Sequence, residues 1–275
     1  MIRIGCTSFN EHESLTGKKE TTLFEYAGHF PLVEMDTGFY SIPSYENVEK
    51  WVGQVPDNFR FIMKIHQTFT KHQEASPAQL KELADQLSHN LQPMVKSGKL
   101  FCLLAQFPPY FACTKENVRY LRFVRKLFST FPFAIEFRNP SWYDSNYIKG
   151  TKEFMRTQKI ALVIVDEPKK LSSTVPLDPA VTNDVFAFFR FHGRNDNGWL
   201  ATGPQARQLR TNYCYQEDEL KQLAQLIISV EKKVKEVGII FNNNAGGDAA
   251  ENAKSLQQEL GIDYNGLNPS QLELF

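Results

Sequence analysis

The chain has 275 residues, 42% of them hydrophobic, enough for a large core in one domain or two. Its 31 basic and 31 acidic residues cancel, which argues against a general polyanion-binding surface and leaves room only for a local basic patch. Cysteines 6, 102, 113 and 214 have no metal-ligand spacing. Cys6 and Cys102 sit in apolar runs where a thiol behaves as a small hydrophobe, so the expected compartment is a reducing cytoplasm. The chain opens as a strand at Met1-Ile2-Arg3-Ile4-Gly5, with no secretory leader expected. No apolar run approaches the roughly 20 residues of a membrane span.

Eight strand-like runs follow, centred on Ile4, Glu34, Met63, Leu103, Ile135, Val163, Phe188 and Ile240. Amphipathic helices are predicted between them, over about 45–55, 76–96, 145–157, 217–236 and 249–260. Another is predicted after Thr114, with Val118, Leu121, Val124, Arg125 and Phe128 at helical spacing. Ser76 before Pro77 is a helix start, the hydroxyl capping and the proline fitting the first turn. Two long connections stand out. Residues 166–185 contain three prolines and read as irregular, and 193–215 is long enough for a lid or binding loop. Strands of this length alternating with helices imply parallel βαβ units. Eight units predict an α/β fold, a single (β/α)8 TIM barrel over residues 1–264 with a tail at 265–275. A doubly wound open sheet is the rival.

Six of the strands end in polar residues. Residues two apart share a face of a strand, so Glu34/Asp36, Lys64/His66, Glu136/Arg138 and Arg190/His192 point the same way in pairs. Asp166 and the run Asn242-Asn243-Asn244 end two more. In a closed barrel these residues meet in one mouth, the polar site expected at the C-terminal ends of the strands. Glu136, Asp166, His66, His192, Glu34 and Asp36 are the expected catalytic acids and bases. Lys64, Arg138, Arg190, Arg194, Asn242, Asn243 and Trp199 are the expected substrate contacts. The residue types fit acid–base hydrolysis or isomerisation of an anionic or polyhydroxylated substrate. Satisfied internal ion pairs are the alternative, and each pair would have to recover the cost of desolvating its charges. No cofactor is expected. A divalent metal on the carboxylates, His66 and His192 is disfavoured by the three cations alongside. His12, His29, His72 and His89 read as loop or helix residues. Asn244-Ala245-Gly246-Gly247-Asp248 reads as a turn with Asp248 capping the next helix, rather than as a phosphate loop. Trp142, in a tight turn after Pro140, reads as packing.

Several motifs in order resemble the YecE-like family, domain of unknown function 72. They are Ile4-Gly5-Cys6-Thr7-Ser8-Phe9, Glu34-Met35-Asp36 to Phe39-Tyr40, Glu136-Phe137-Arg138-Asn139-Pro140-Ser141-Trp142, Phe189-Arg190-Phe191-His192-Gly193-Arg194, Tyr213-Cys214-Tyr215 and Phe241-Asn242-Asn243-Asn244. Phe9 and Asn10 stand where the family usually has a Trp. The resemblance covers nearly the whole chain. It implies a TIM barrel distantly similar to sugar isomerases and barrel-type DNA-repair endonucleases, and no established activity.

The chain ends Gln271-Leu272-Glu273-Leu274-Phe275. This is similar to the pentapeptide by which bacterial DNA polymerases and repair proteins dock on the sliding clamp, with Gln271 as the polar contact and Leu272, Leu274 and Phe275 as anchors. Three functions remain open on the sequence: a repair-associated nucleic-acid hydrolase, a sugar or sugar-phosphate enzyme, and a non-catalytic anion-binding protein.

Overall fold

The computed structural model describes residues 1–269, apart from the side chain of Arg207. The expected clamp-binding residues Gln271, Leu272, Leu274 and Phe275 lie outside the described residues. Nine parallel strands form one sheet: β1 (Ile2–Thr7), β2 (Leu32–Met35), β3 (Arg60–Lys64), β4 (Leu100–Gln106), β5 (Phe133–Glu136), β6 (Ile160–Leu162), β7 (Ile164–Asp166), β8 (Phe186–Phe191) and β9 (Glu236–Phe241). The order β6-β5-β4-β3-β2-β1-β9-β8-β7 places β6 and β7 at its two ends. These two are consecutive in the chain and interrupted only at Val163, whose N–H still donates to Ile135 O at 2.9 Å. They are the lower and upper parts of one barrel strand, β6 paired with β5 and β7 with β8. The sheet is therefore a nearly closed eight-stranded barrel whose sixth strand is broken.

Most predicted helices are present with shifted ends. Tyr45–Gly53 and Lys115–Leu127 start on Ser44 and Thr114 caps. The predicted 76–96 helix is two, Pro77–Asn90 and Gln92–Lys96, because Pro93 requires a fresh first turn. Ile148–Thr157 starts later than expected, since Pro140–Tyr143 forms a separate 3-10 turn. Glu217–Glu231 ends before Glu236, which belongs to β9. Gly247, in a left-handed conformation at φ 82°, caps helix Asp248–Glu259; Asp248 is its first residue and not the cap. No helix lies in 167–185, as the prolines implied, whereas 193–215 contains two short helices, Asp196–Leu200 and Ala206–Arg210. The packing does not break at residue 264: Asn58 Nδ2 donates to Asn265 O at 2.7 Å, and Asn268 Nδ2 to Gln54 O at 2.8 Å.

Strand alternation separates two cores. Val33, Phe61, Leu103, Ile135, Phe189 and Ile239 meet the helices outside. Leu32, Ile62, Cys102, Leu104, Ala134 and Ile240 fill the barrel. Phe101, Phe186 and Phe188 plug its lower half, with ring centroids of Phe101 and Phe186 5.2 Å apart. Gly238 makes room for that plug, because a Cβ there would lie 2.8 Å from the Phe101 ring. The barrel's middle is thus apolar, between the Arg3–Glu236 ion pair at the strands' N-terminal ends and the polar inward positions at their C-terminal ends. Among the described residues no helix is long and apolar enough to cross a membrane.

Candidate functional site

Arg190 stands at the centre of the upper barrel. It follows Phe186 and Phe188 on the inward face of β8 and is 1% exposed. Its guanidinium forms a fork on Glu34, Nε to Oε2 at 2.8 Å and Nη2 to Oε1 at 2.6 Å. Its Nη1 donates to Glu136 Oε2 at 2.5 Å and to Gln106 Oε1 at 3.1 Å. The fixed donor fork of arginine allows one side chain to tie three strands together. Arg138, two residues beyond Glu136, repeats the arrangement one layer up. Its Nε pairs with Glu136 Oε1, Nη1 donates to Glu167 Oε2 at 2.9 Å, and Nη2 lies 2.9 Å from His192 Nε2. The other ring nitrogen, Nδ1, lies 2.7 Å from the Asn242 side-chain amide nitrogen, so each nitrogen of the imidazole faces an N–H donor. Lys64 Nζ pairs with Asp36 Oδ1 at 3.3 Å and lies 4.7 Å from the Phe39 ring centre.

The interior group holds four carboxyls, Glu34, Asp36, Glu136 and Glu167, against three cations, Lys64, Arg138 and Arg190. Burial, with Arg138 beside it, pushes His192 down to about 3, so the imidazole is neutral and supplies no fourth cation. Burial opposes the charge on Glu136, yet Arg138 and Arg190 together hold it well below the usual carboxylate range. Burial pushes Glu34 up to about 7 against the pull of Arg190. It does the same to Glu167, up to about 7, against Arg138 and the Val175 N–H. With one carboxyl more than the cations, burial of Glu34 and Glu167 favours a retained proton in the cluster near neutral pH.

Asp166 belongs to a separate group. Ala161, Val163 and Val165 face the barrel interior, and Ile160, Leu162 and Ile164 face the helices. Asp166 continues the outer series and Glu167 the inner one. Asp166 accepts from Arg194 Nε and Nη2, each at 2.8 Å, and from the Tyr215 hydroxyl at 2.8 Å. Arg194 Nη1 also donates to Glu219 Oε1 at 2.7 Å. Gly193 makes this return possible at φ 86°, and a Cβ there would strike Tyr213 at 2.5 Å.

Glu34, Glu136, His192, Lys64, Asp36, Arg138, Arg190 and Asn242 are therefore brought together as the sequence implied. His66 caps the 3-10 turn after β3 and bonds the Thr68 hydroxyl at 2.9 Å instead of joining them. Asn243 faces outward and donates to Tyr213 O and Asn252 Oδ1. Trp199, in helix Asp196–Leu200, lies over Arg138, its ring 5.3 Å from that guanidinium and 5.8 Å from that of Arg210. Four hydrogen bonds from Arg190 to Glu34, Glu136 and Gln106 engage all three of its guanidinium nitrogens, so it organises carboxylates inside the barrel. Trp142 is packing, stacked on Phe137 at 4.1 Å. His12 is not an ordinary loop residue: it is 1% exposed, with Nε2 3.2 Å from Ser8 O. Glu167, Gln106, Glu219 and Tyr215 were not among the expected site residues. Gln106 carried the same signal as the others, a polar inward residue ending a strand, in uncharged form. Among the described residues no three His, Cys, Asp or Glu are placed to hold a metal ion.

The comparisons agree with this architecture over the whole chain. The family described as "Protein of unknown function DUF72" matches residues 3–273. The chain is 39% identical over 282 residues to UPF0759 protein YunF of Bacillus subtilis, covering 100% of both. It is 30% identical to UPF0759 protein YecE of Escherichia coli K12 over 153 residues, 56% of this chain and 53% of that one. A crystal structure of a DUF72 family protein from Enterococcus faecalis superposes with TM-score 0.94 at 48% identity, covering 99% of this chain and 100% of the other. One from Thermotoga maritima gives 0.81 at 30% identity, covering 95% and 100%. With its motifs in order around an eight-stranded barrel, this chain belongs to the DUF72, or UPF0759, family.

Proposed function

We propose that the mouth is an acid–base active site for an uncharged, polyhydroxylated substrate, such as a sugar undergoing hydrolysis or isomerisation. The observation that carries this reading is the proton held near neutral pH on Glu34 and Glu167 beside a Glu136 kept ionised. A carboxylic acid that titrates near neutral pH is a general acid matched to the working pH, and a fixed carboxylate beside it is suited to stabilise developing positive charge. Glu167, buried beside Arg138, is the donor; Glu136 is the fixed carboxylate, and His192, neutral, relays a proton. Lys64, Arg138, Arg190 and Arg194 are each engaged by an internal carboxylate, which disfavours an anionic substrate. Gln106, Asn242 and Trp199 offer amides and an aromatic face of the kind that sugars use. A panel of aryl glycosides and free aldoses tests the reading. Turnover should fall about 100-fold or more in Glu167→Gln and in Glu136→Gln, with unchanged circular dichroism. Binding without turnover would favour the non-catalytic class. A strong preference for sugar phosphates would overturn the neutral substrate.

A second reading rests on the terminal Gln271-Leu272-Glu273-Leu274-Phe275, a segment of clamp-binding type that would deliver the barrel to replicating DNA. Micromolar binding to a purified bacterial sliding clamp, abolished by deleting these five residues, is its expected result. Equal binding of intact and truncated chains would remove it.

A further inference from the structure

The zero net charge conceals a strong separation of charge around the barrel. Helix Lys115–Leu127, which follows β4, carries five cations and one acid. Helix Ile148–Thr157, which follows β5, carries three cations and one acid. Across the barrel, helix Glu217–Glu231 carries four acids and one lysine, and helix Asp248–Glu259 three acids and one lysine. β9 lies four strands from β4 in a ring of eight, so the basic and acidic faces are opposed.

The basic face contains a groove of about 510 Å3 that shares no residue with the mouth. Cys113, Val118 and Tyr147 line it with Lys115, Arg119 and Arg122, and no acid does. The three cations stand at i, i+4 and i+7 and so share one helix face. Among the described residues none of the three is in an ion pair, whereas Lys152 and Arg156 on the neighbouring helix pair with Asp178 and Glu153. Arg125 is turned inward, its Nε donating to Gln158 O at 3.0 Å, and takes no part. Tyr147 is 51% exposed at the groove's edge. Tyr110, three residues before Cys113, is 67% exposed, its hydroxyl fixed by donation to Lys71 O at 2.7 Å.

We propose that this groove binds single-stranded nucleic acid, with Lys115, Arg119 and Arg122 on successive phosphates and Tyr147 stacked on a base. A row of cations without carboxylate partners among the described residues, Arg122 lying 5.6 Å over the Phe154 ring, answers a phosphodiester backbone, and an exposed aromatic face beside it answers an unstacked base. A duplex would satisfy the cations and leave the tyrosine idle, so the single strand is favoured.

The test uses the intact protein and a fluorescent oligothymidylate of about 20 nucleotides, read by anisotropy. Binding is expected with Kd on the order of 10 μM at low salt, and a log Kobs against log salt slope of about −2, as three phosphates at about −0.7 each require. Arg119→Glu with Arg122→Glu should lower affinity more than tenfold and flatten the slope. Tyr147→Ala should weaken binding about fivefold or more while leaving the slope unchanged. These side chains are exposed, and matching thermal unfolding curves confirm that the variants fold. Absence of saturation at low salt, or a slope insensitive to the charge reversals, overturns the proposal. Displacement by polyglutamate as efficient as by the oligonucleotide would assign the groove to an acidic protein surface instead. Salt-sensitive self-association that the charge reversals abolish would assign it to the acidic face of a second copy.

Discussion

Arg190→Met is expected to lower the unfolding free energy by about 3–5 kcal/mol at neutral pH, read from urea denaturation midpoints. The methionine fills a similar volume, so packing is nearly conserved. What is lost is the compensation of Glu34 and Glu136, both 0% exposed, which Arg190 holds through three hydrogen bonds at 2.5–2.8 Å. A buried carboxylate without its partner retains the cost of leaving water. Replacing the two glutamates by glutamine in the same chain should recover most of the loss, because the charges that needed compensation are then gone. A loss below about 1 kcal/mol for the single variant would mean that the guanidinium does not neutralise the cluster.

Glu167→Gln is expected to become more stable relative to the wild-type protein as the pH rises. In the folded state burial holds the Glu167 proton to about 7, whereas in the unfolded chain it leaves near 4.5. Between those values the folded wild type binds a proton that the unfolded chain has released. Its stability therefore falls across about pH 4.5 to 7, by up to about 3 kcal/mol from this group. Glutamine mimics the protonated form and carries no such term. His192, pushed down to about 3, works in the opposite direction, favouring the folded state as pH rises from about 3 to 6.5. It is present in both proteins and cancels in the difference. Paired urea melts at pH 4.5 and 7.5 give the answer: a stability difference that does not change with pH would place the retained proton elsewhere.

The barrel was legible because period-two alternation and helix caps are local signals, and Ser76 and Thr114 cap the helices that follow them. So was the convergence of Glu34, Glu136, Arg138, Arg190 and His192, which follows from strand parity and closure alone. The exchange of Asp166 for Glu167 shows where parity was misapplied. The inward series Ala161, Val163, Val165 leads to Glu167, one residue past the strand's apparent end. The engagement of Arg190 was not legible, since nothing local tells a guanidinium that awaits a ligand from one already satisfied by strands far apart in sequence. The separation of charge between opposite helices was equally hidden, because totals over the chain cancel and only the strand order puts the helices on opposite sides.

The break at Val163 gives the cylinder a join. β6 ladders only to β5 and β7 only to β8, so the sheet, unrolled, is a ribbon whose two ends meet inside one strand. Beside the lower part, the Thr182 hydroxyl receives the Leu162 N–H at 2.8 Å and donates to Ile160 O at 2.9 Å, doing with a side chain what a neighbouring strand would do with its backbone. Higher up, Arg190 of β8 grips Glu136 of β5, and Arg138, two residues past Glu136, reaches His192. The charges in the mouth are thus also stitches across the join, and a substitution that leaves one of them without its partner loosens the hoop at its incomplete stave.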